Sequence, residues 1–371
     1  MPCNPRNTAD KGSNSTMSGI DIIKLMEEKR GGIDSSIRDI LPRNLDGKSL
    51  EKIFGKPRYS YSQSALTKAL SIPVWDFLDR GGKRWRPFLF LITAEALGGD
   101  AKRMMKFCPI PEMLHDGSIM VDDIEDMGEM RRGKPCTHKI YGIDVAVNAG
   151  NFMYFIPLIL LKNACGEFSD STIKKAYDTV IQELINIHAG QGMDIIWHNG
   201  VENVTEGEYF QMCAYKTGCL SRLSTKLAAV LCGAPDATVE ALGKFGEAIG
   251  VVFQIQDDIL SAGGGKFAKG KGYGDDITEG KHTLIVIHAL KHLDQNDRER
   301  LLRILAMHTK DARIIAEALE LLTKKDSVEY AKECAKKMVA GAWKDVDSVL
   351  PASDAKKKIR AFADYLVDRE I

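Results

Sequence analysis

Apolar residues recur at i, i+3 and i+4 along most of the chain, and runs that alternate with a period of two are almost absent. The helical spacing is clear over residues 171–197, 206–232, 236–262, 281–292, 311–323 and 326–348. An earlier stretch, 18–41, places Ile20, Ile23, Leu25, Ile33, Ile37, Ile40 and Leu41 at similar intervals. A break follows at Pro42, Gly47, Gly55 and Pro57. Of the twelve prolines, only Pro235 and Pro351 come after Pro157. An interior proline costs a helix about 3 kcal/mol, so long proline-poor segments leave room for long helices. Pro235-Asp236 and Ser353-Asp354 have the residue types that open helices. The pattern predicts a single all-α domain of ten to twelve helices with no short-period repeat.

Residues 1–17 are polar and read as a disordered tail, 18–59 as an N-terminal helical extension, and 60–371 as the domain that carries the chemistry. Apolar residues make up 44% of the 371, which excludes a disordered chain. Lys plus Arg and Asp plus Glu both total 51, so the chain is no bulk nucleic-acid binder. Eight scattered cysteines without a CxxC pair suit a reducing cytoplasm. The start has no apolar run, so no secretory signal is expected. The longest apolar stretch, Phe152 to Leu161, is about half a bilayer span, and no stable membrane insertion is expected.

Charge is concentrated in a few blocks. Asp122, Asp123 and Asp126 follow the apolar run Ile119-Met120-Val121. On a helix Asp122 and Asp126 share a face one turn apart, where they repel unless a cation sits between them. A second pair, Asp257-Asp258, also ends an apolar helical run. Each block alone also fits an acidic helix end on the surface. Two such pairs on apolar helices point further, because burying several carboxylates without cations is very costly. All-oxygen ligands favour Mg²⁺ over zinc, and Mg²⁺ prefers sites shared with phosphate.

Basic residues supply the other half. Gly81-Gly82-Lys83-Arg84-Trp85-Arg86-Pro87 sets two glycines before a cationic cluster. Arg131-Arg132-Gly133 follows the first acidic block, Lys216-Thr217-Gly218 interrupts a helix, and Lys281 closes Thr278-Glu279-Gly280-Lys281. Six glycines with Lys266, Lys269 and Lys271 between Gly263 and Gly274 read as a flexible lid. A nucleotide-binding P-loop is absent. His282, His288 and His292 lack a metalloprotease arrangement and are expected on a helix surface. Met104, Met105, Met113, Met120, Met127, Met130 and Met153 are expected in the core.

These motifs, in this order, resemble the trans-isoprenyl diphosphate synthases over roughly residues 60–371. Within them the segments Met113-Leu114-His115, Tyr154-Phe155 and His188 to Asp194 are most similar to the geranylgeranyl diphosphate synthases. The resemblance implies an antiparallel helical bundle around a deep central cavity, usually a homodimer. It implies that Asp122 and Asp126 hold two Mg²⁺ ions and Asp257 a third, with Asp258 and Asp123 in support. Arg131, Lys216, Lys271 and Lys281 would contact the allylic diphosphate, and Lys83, Arg86, His115 and Arg132 that of isopentenyl diphosphate. Thr217 and Gln254 would face the developing allylic cation. The implied reaction is Mg-assisted ionisation, condensation and elimination. It joins isopentenyl diphosphate to dimethylallyl, geranyl or farnesyl diphosphate.

Gly117 and Ser118, five and four positions before Asp122, are small and leave a growing chain unblocked. Tyr154, Phe155 and His188 match a deeper floor, which gives an expected C20 product. Farnesyl and longer-chain synthases are the alternatives within the family. A terpene cyclase would not need Lys83, Arg86 and His115, and a non-catalytic partner subunit would be expected to lose an Asp motif. Two residues depart from the family pattern: Ser261 replaces a third acid of the second motif, and Asp116 stands where Asn is usual.

Overall fold

The computed structural model describes residues 20–200, 203–262 and 274–367. The polar tail 1–17 and the lid segment with Lys266, Lys269 and Lys271 lie outside the described residues. The described residues are almost wholly helical, as the spacing predicts, but they hold twenty α-helical segments rather than ten to twelve. The surplus is made of short helices such as Ala101–Met105, Thr137–Tyr141 and Ile159–Lys162, which are shorter than the window in which a 3.6-residue period can be read.

Ten helices build the site and its support: α1 (Ile22–Ile40), α2 (Trp85–Ala96), α3 (Pro109–Glu125), α4 (Ile143–Phe155), α5 (Asp170–His198), α6 (Glu206–Cys213), α7 (Cys219–Leu231), α8 (Asp236–Ala262), α9 (Leu284–His292) and α10 (Ser327–Val349). At the centre stands α7, in which every residue but Arg222 and Lys226 is buried. Its only charged residues, Arg222 and Lys226, lie one turn apart and leave the core. Arg222 meets Glu183 of α5 at 2.7 Å and also pairs with Glu247, and Lys226 meets Glu240 at 2.6 Å. Around α7 pack α2, α3, α5 and α8, and α10 covers the far side of α8. One core cluster runs from Ile22 to Leu366, so α1 of the N-terminal segment shares it through Ile33 and Ile37.

Lys216-Thr217-Gly218 does not interrupt its helix. The chain passes from α6 to α7 through a π-helical turn, Ala214–Gly218, which widens the helix by one residue per turn without ending it. That turn lies hard against α5. A Cβ on Gly190 would stand 2.2 Å from the Lys216 backbone nitrogen.

Residues 143–162 are long and apolar enough to cross a membrane by composition, yet the helix is broken at Ile156–Leu158, where Pro157 stands. The segment packs against α3 on one side and leaves Ile143 and Phe155 exposed on the other.

The Gly190 contact gives a paired test. Gly190→Ala should destabilise the fold by roughly 1–3 kcal/mol through overpacking. Gly192→Ala, two residues on with nothing within 4 Å, should stabilise it by about 0.5–1 kcal/mol through helix propensity. Urea melts of the two variants check the pair, and equal shifts would contradict the close approach.

Candidate active site

The acidic end of α3 faces two connected cavities. Asp122 lines both, together with Ile119, Arg131, Lys216 and Gln254. Asp126 caps α3 one turn below it and lines the outer cavity. The spacing thus places both carboxylates on one face, as expected. Asp123 also lines the outer cavity, but it is 1% exposed and accepts from Arg131 Nε at 2.7 Å.

Of the four cations expected on the allylic diphosphate, Lys271 lies outside the described residues, and Arg131, Lys216 and Lys281 are each held between carboxylates. Lys216 Nζ donates to Asp122 Oδ1 at 3.0 Å and to Asp194 Oδ2 at 2.6 Å. Lys281 Nζ lies 3.4 Å from Asp126 Oδ2 and also pairs with Glu279. Arg131 lies against Asp123 and reaches to within 3.8 Å of Asp122. Gln191 donates to Asp122 and to Glu125, both at 2.9 Å.

The two motif carboxylates respond differently to this setting. Burial alone would raise the Asp122 pKa, but Lys216, Lys281 and Arg131 outweigh it and hold the group below the usual carboxylate range. Asp126 is pushed up to about 6, first by burial and then by the charge on Asp122. Its Oδ1 has no hydrogen-bond partner among the described residues. A carboxyl that resists ionisation beside an ionised neighbour is short of a cation. Two carboxylates on one face, one of them with an unpartnered oxygen, fit a divalent cation such as Mg²⁺, which binds through one or two carboxylates and completes its shell with water and phosphate oxygens.

The second motif lies on α8, which also lines both cavities. Asp257 faces the inner cavity and Asp258 the outer one. Asp258 accepts from Tyr209 Oη at 2.7 Å and from Gln254 Nε2 at 2.8 Å. Thr217 Oγ1 donates to Gln254 Oε1 at 2.9 Å, so the pair expected beside the allylic cation is joined and lines the inner cavity.

Of the four residues expected on isopentenyl diphosphate, Arg86 and His115 line the inner cavity. Burial pulls Arg86 down to about 10, and its Nε is unpartnered among the described residues. Burial, with Arg86 next, holds His115 well below the ordinary histidine range. Lys83 lines neither cavity. Arg132 lines the outer cavity and already has an anion: its Nη2 lies 2.8 Å from Asp116 Oδ1, and Arg84 Nη1 lies 3.3 Å from Asp116 Oδ2. The negative charge of Asp116, fully buried, is thus spent on two guanidinium groups. Arg131 and Arg132 sit on a hairpin, Met130–Arg131 against Lys134–Pro135, whose turn residues Arg132 and Gly133 have φ of +51° and +75°.

The chain-length residues divide. Ser118, Tyr154 and His188 line the inner cavity, and the Tyr154 and His188 rings meet edge to face at 5.6 Å. Phe155, expected in the floor, lies outside it and is 65% exposed, because it follows Tyr154 on α4 and so points about 100° away. Gly117 does not line the cavity either. It is the point where α3 touches α4, and a Cβ there would stand 2.8 Å from the Gly150 carbonyl oxygen.

Two further expectations are corrected. His282 is on no helix surface: it is 9% exposed and lines the outer cavity. Met127 and Met130 leave the core and line the same cavity at 80% and 60% exposure, since they lie in the loop after α3. Sequence reasoning assigned no role to Asp194, Gln191 or Tyr209. Polar residues on otherwise packed helix faces were the available signal.

The sequence profile of the polyprenyl synthetase family matches residues 67–322. The short chain isoprenyl diphosphate synthase of Methanothermobacter thermautotrophicus is 35% identical over 294 residues, 79% of this chain and 88% of that protein. The geranylgeranyl pyrophosphate synthase of Dictyostelium discoideum is 34% identical over 278 residues, 75% of this chain and 88% of its own length. The crystal structure of geranylgeranyl pyrophosphate synthetase from Pyrococcus horikoshii superposes with a TM-score of 0.81 at 30% identity. It covers 94% of this chain and 98% of that one.

The state of Asp126 predicts a pH effect in metal-free buffer. A carboxyl whose folded pKa is raised to about 6 costs stability as pH climbs from about 4 through 6, because the native state keeps the proton longer than the unfolded chain does. Asp126→Asn should therefore melt higher than the parent at pH 8, with the gap closing toward pH 4. A gap that does not vary with pH would contradict the crowding of Asp122 and Asp126.

Proposed function

The chain belongs to the polyprenyl synthetase family, and from that premise we propose that its site condenses isopentenyl diphosphate with an allylic diphosphate to give geranylgeranyl diphosphate (C20) as the main product. The trans-prenyltransferase activity comes with the family. The observation that carries the fuller reading is the division of the site: an outer cavity ringed by Asp122, Asp126, Lys216 and Lys281 adjoins an inner one walled by Ile119, Ile187, Leu220 and Phe253.

The outer cavity takes the allylic diphosphate, and the inner one takes its hydrocarbon along the apolar wall and isopentenyl diphosphate at its Arg86–His115 end. Mg²⁺ held by Asp122 and Asp126, with a third ion on Asp257, would neutralise the leaving diphosphate. Lys216 and Lys281 hold its oxygens. As the allylic C–O bond breaks, the carbon cation forms beside Thr217 and Gln254, whose joined polar side chains line the cavity there. Isopentenyl diphosphate, held by Arg86 and His115, donates its double-bond electrons to that cation and forms the new C–C bond. The proton it then loses passes to the departed diphosphate, so no side-chain nucleophile is required.

The C20 length rests on Ser118, which is too small to block the cavity, and on the Tyr154–His188 pair below it. The partner we propose is a second copy of the chain. Phe155 of α4 and Ile181 and Ile185 of α5 are exposed apolar side chains, which suits such a contact. The described cysteines are all free thiols, which suits the cytoplasmic location we propose.

With Mg²⁺, labelled isopentenyl diphosphate and each allylic primer, the protein should build labelled C20 diphosphate. Hydrocarbon products without label would overturn the transferase, and a C15 product would overturn the floor. Asp122→Ala should cut turnover at least about a thousandfold. Tyr154→Ala should lengthen the product. Phe155→Ala should leave its length unchanged while weakening the dimer on a sizing column; a longer product from Phe155→Ala would restore that residue to the floor.

A further inference from the structure

His282 is a buried polar side chain of the outer cavity that the proposed reaction leaves unused. It is 9% exposed, and neither Nδ1 nor Nε2 has a hydrogen-bond partner among the described residues. A buried donor or acceptor left unmade costs about 1–3 kcal/mol, so an imidazole with both nitrogens unmet is poorly explained as packing. Asp194 and Asp258 of the same cavity are bonded, to Lys216 and to Tyr209 and Gln254, whereas Asp123 and Asp126 each leave one oxygen unpartnered but bond or pair through the other.

The surroundings define what His282 would meet. It follows Lys281 directly and precedes Thr283, and all three line the cavity that holds Asp126 and Asp194. Thr283 is the N-cap of α9, with its hydroxyl accepting from the Val286 amide at 3.3 Å. The positive end of the α9 dipole therefore opens beside His282 and favours an anion. Burial holds the imidazole below its ordinary pKa, with the Asp194 carboxylate opposing, so the ring is neutral near pH 7. One ring nitrogen then carries a proton to donate. A neutral donor suits an oxyanion whose charge Lys216, Lys281 and metal ions already balance.

We propose that His282 is a binding residue for the diphosphate of the allylic substrate and for the inorganic pyrophosphate it becomes, donating a ring N–H to an oxygen beside Lys281. The assignment rests on the prenyltransferase reading of the outer cavity and adds to it a contact that His282 alone provides. It acts on the allylic diphosphate and leaves the Arg86–His115 end of the site untouched.

The test compares the parent with His282→Phe, which keeps a ring and removes the donor, and His282→Gln, which keeps a donor. Calorimetry with inorganic pyrophosphate and Mg²⁺ should show binding about tenfold weaker in His282→Phe and largely recovered in His282→Gln. The KM for the allylic primer should rise by a similar factor, with the KM for isopentenyl diphosphate within about twofold of the parent. Parent-like pyrophosphate binding by His282→Phe would overturn the proposal, and so would an equal rise in both KM values. If His282→Phe fails to fold, His282→Gln and His282→Leu serve as the donor-bearing and donor-free pair. A parent protein that binds no pyrophosphate with Mg²⁺ would overturn the diphosphate reading of the cavity itself, which turnover of labelled isopentenyl diphosphate tests separately.

Discussion

Two lysines face four carboxylates at the mouth of an apolar cavity. Lys216 and Lys281 share Asp122, Asp126, Asp194 and Glu279, which leaves an excess of negative charge in a half-dry setting. Everything else in the site follows from that imbalance. Asp122 stays ionised because Lys216 is at hand, and Asp126 then resists ionisation because Asp122 is charged. The same lysines suit diphosphate oxygens, and the same carboxylates suit divalent cations. When both ligands arrive, each side chain exchanges a mediocre partner for a better one. The cavity therefore has reason to take metal and diphosphate together.

Close helix contacts place these groups. The Gly190 approach seats Lys216 against α5, which also carries its partner Asp194 and the Asp122 partner Gln191, so the three share one junction. The π-helical turn adds the residue that aims Lys216 and Thr217 into the cavities without ending the helix. Gly117 and Gly150 bring α3 and α4 together, so the wall below the first Asp motif is defined by Ser118 and Tyr154. Stability and chemistry are linked here, because a side chain at Gly190 disturbs both.

Much of this was legible beforehand. Asp122 and Asp126 one turn apart after an apolar run, the second Asp pair, and the proline-free stretches follow from helical spacing and the cost of buried charge. What stayed hidden depends on tertiary contacts. No spacing rule places Lys216 between Asp122 and Asp194, which come from different helices. Asp116 departs from the family pattern in the sequence, and only the folded chain shows it neutralised by Arg84 and Arg132. Phe155 and Tyr154 are both bulky aromatics, and the 100° step between them on α4 decides which one meets the cavity. His282 sits in a polar segment that reads as surface, yet the fold buries it.

The most direct test of the exchange is a thermal melt of the parent protein under four conditions: no ligand, Mg²⁺ alone, an unreactive allylic thiolodiphosphate alone, and both together. The account predicts small shifts from either alone and a rise with both that clearly exceeds their sum. A full shift from Mg²⁺ alone would contradict it, because the carboxylates would then form a complete metal site without the diphosphate.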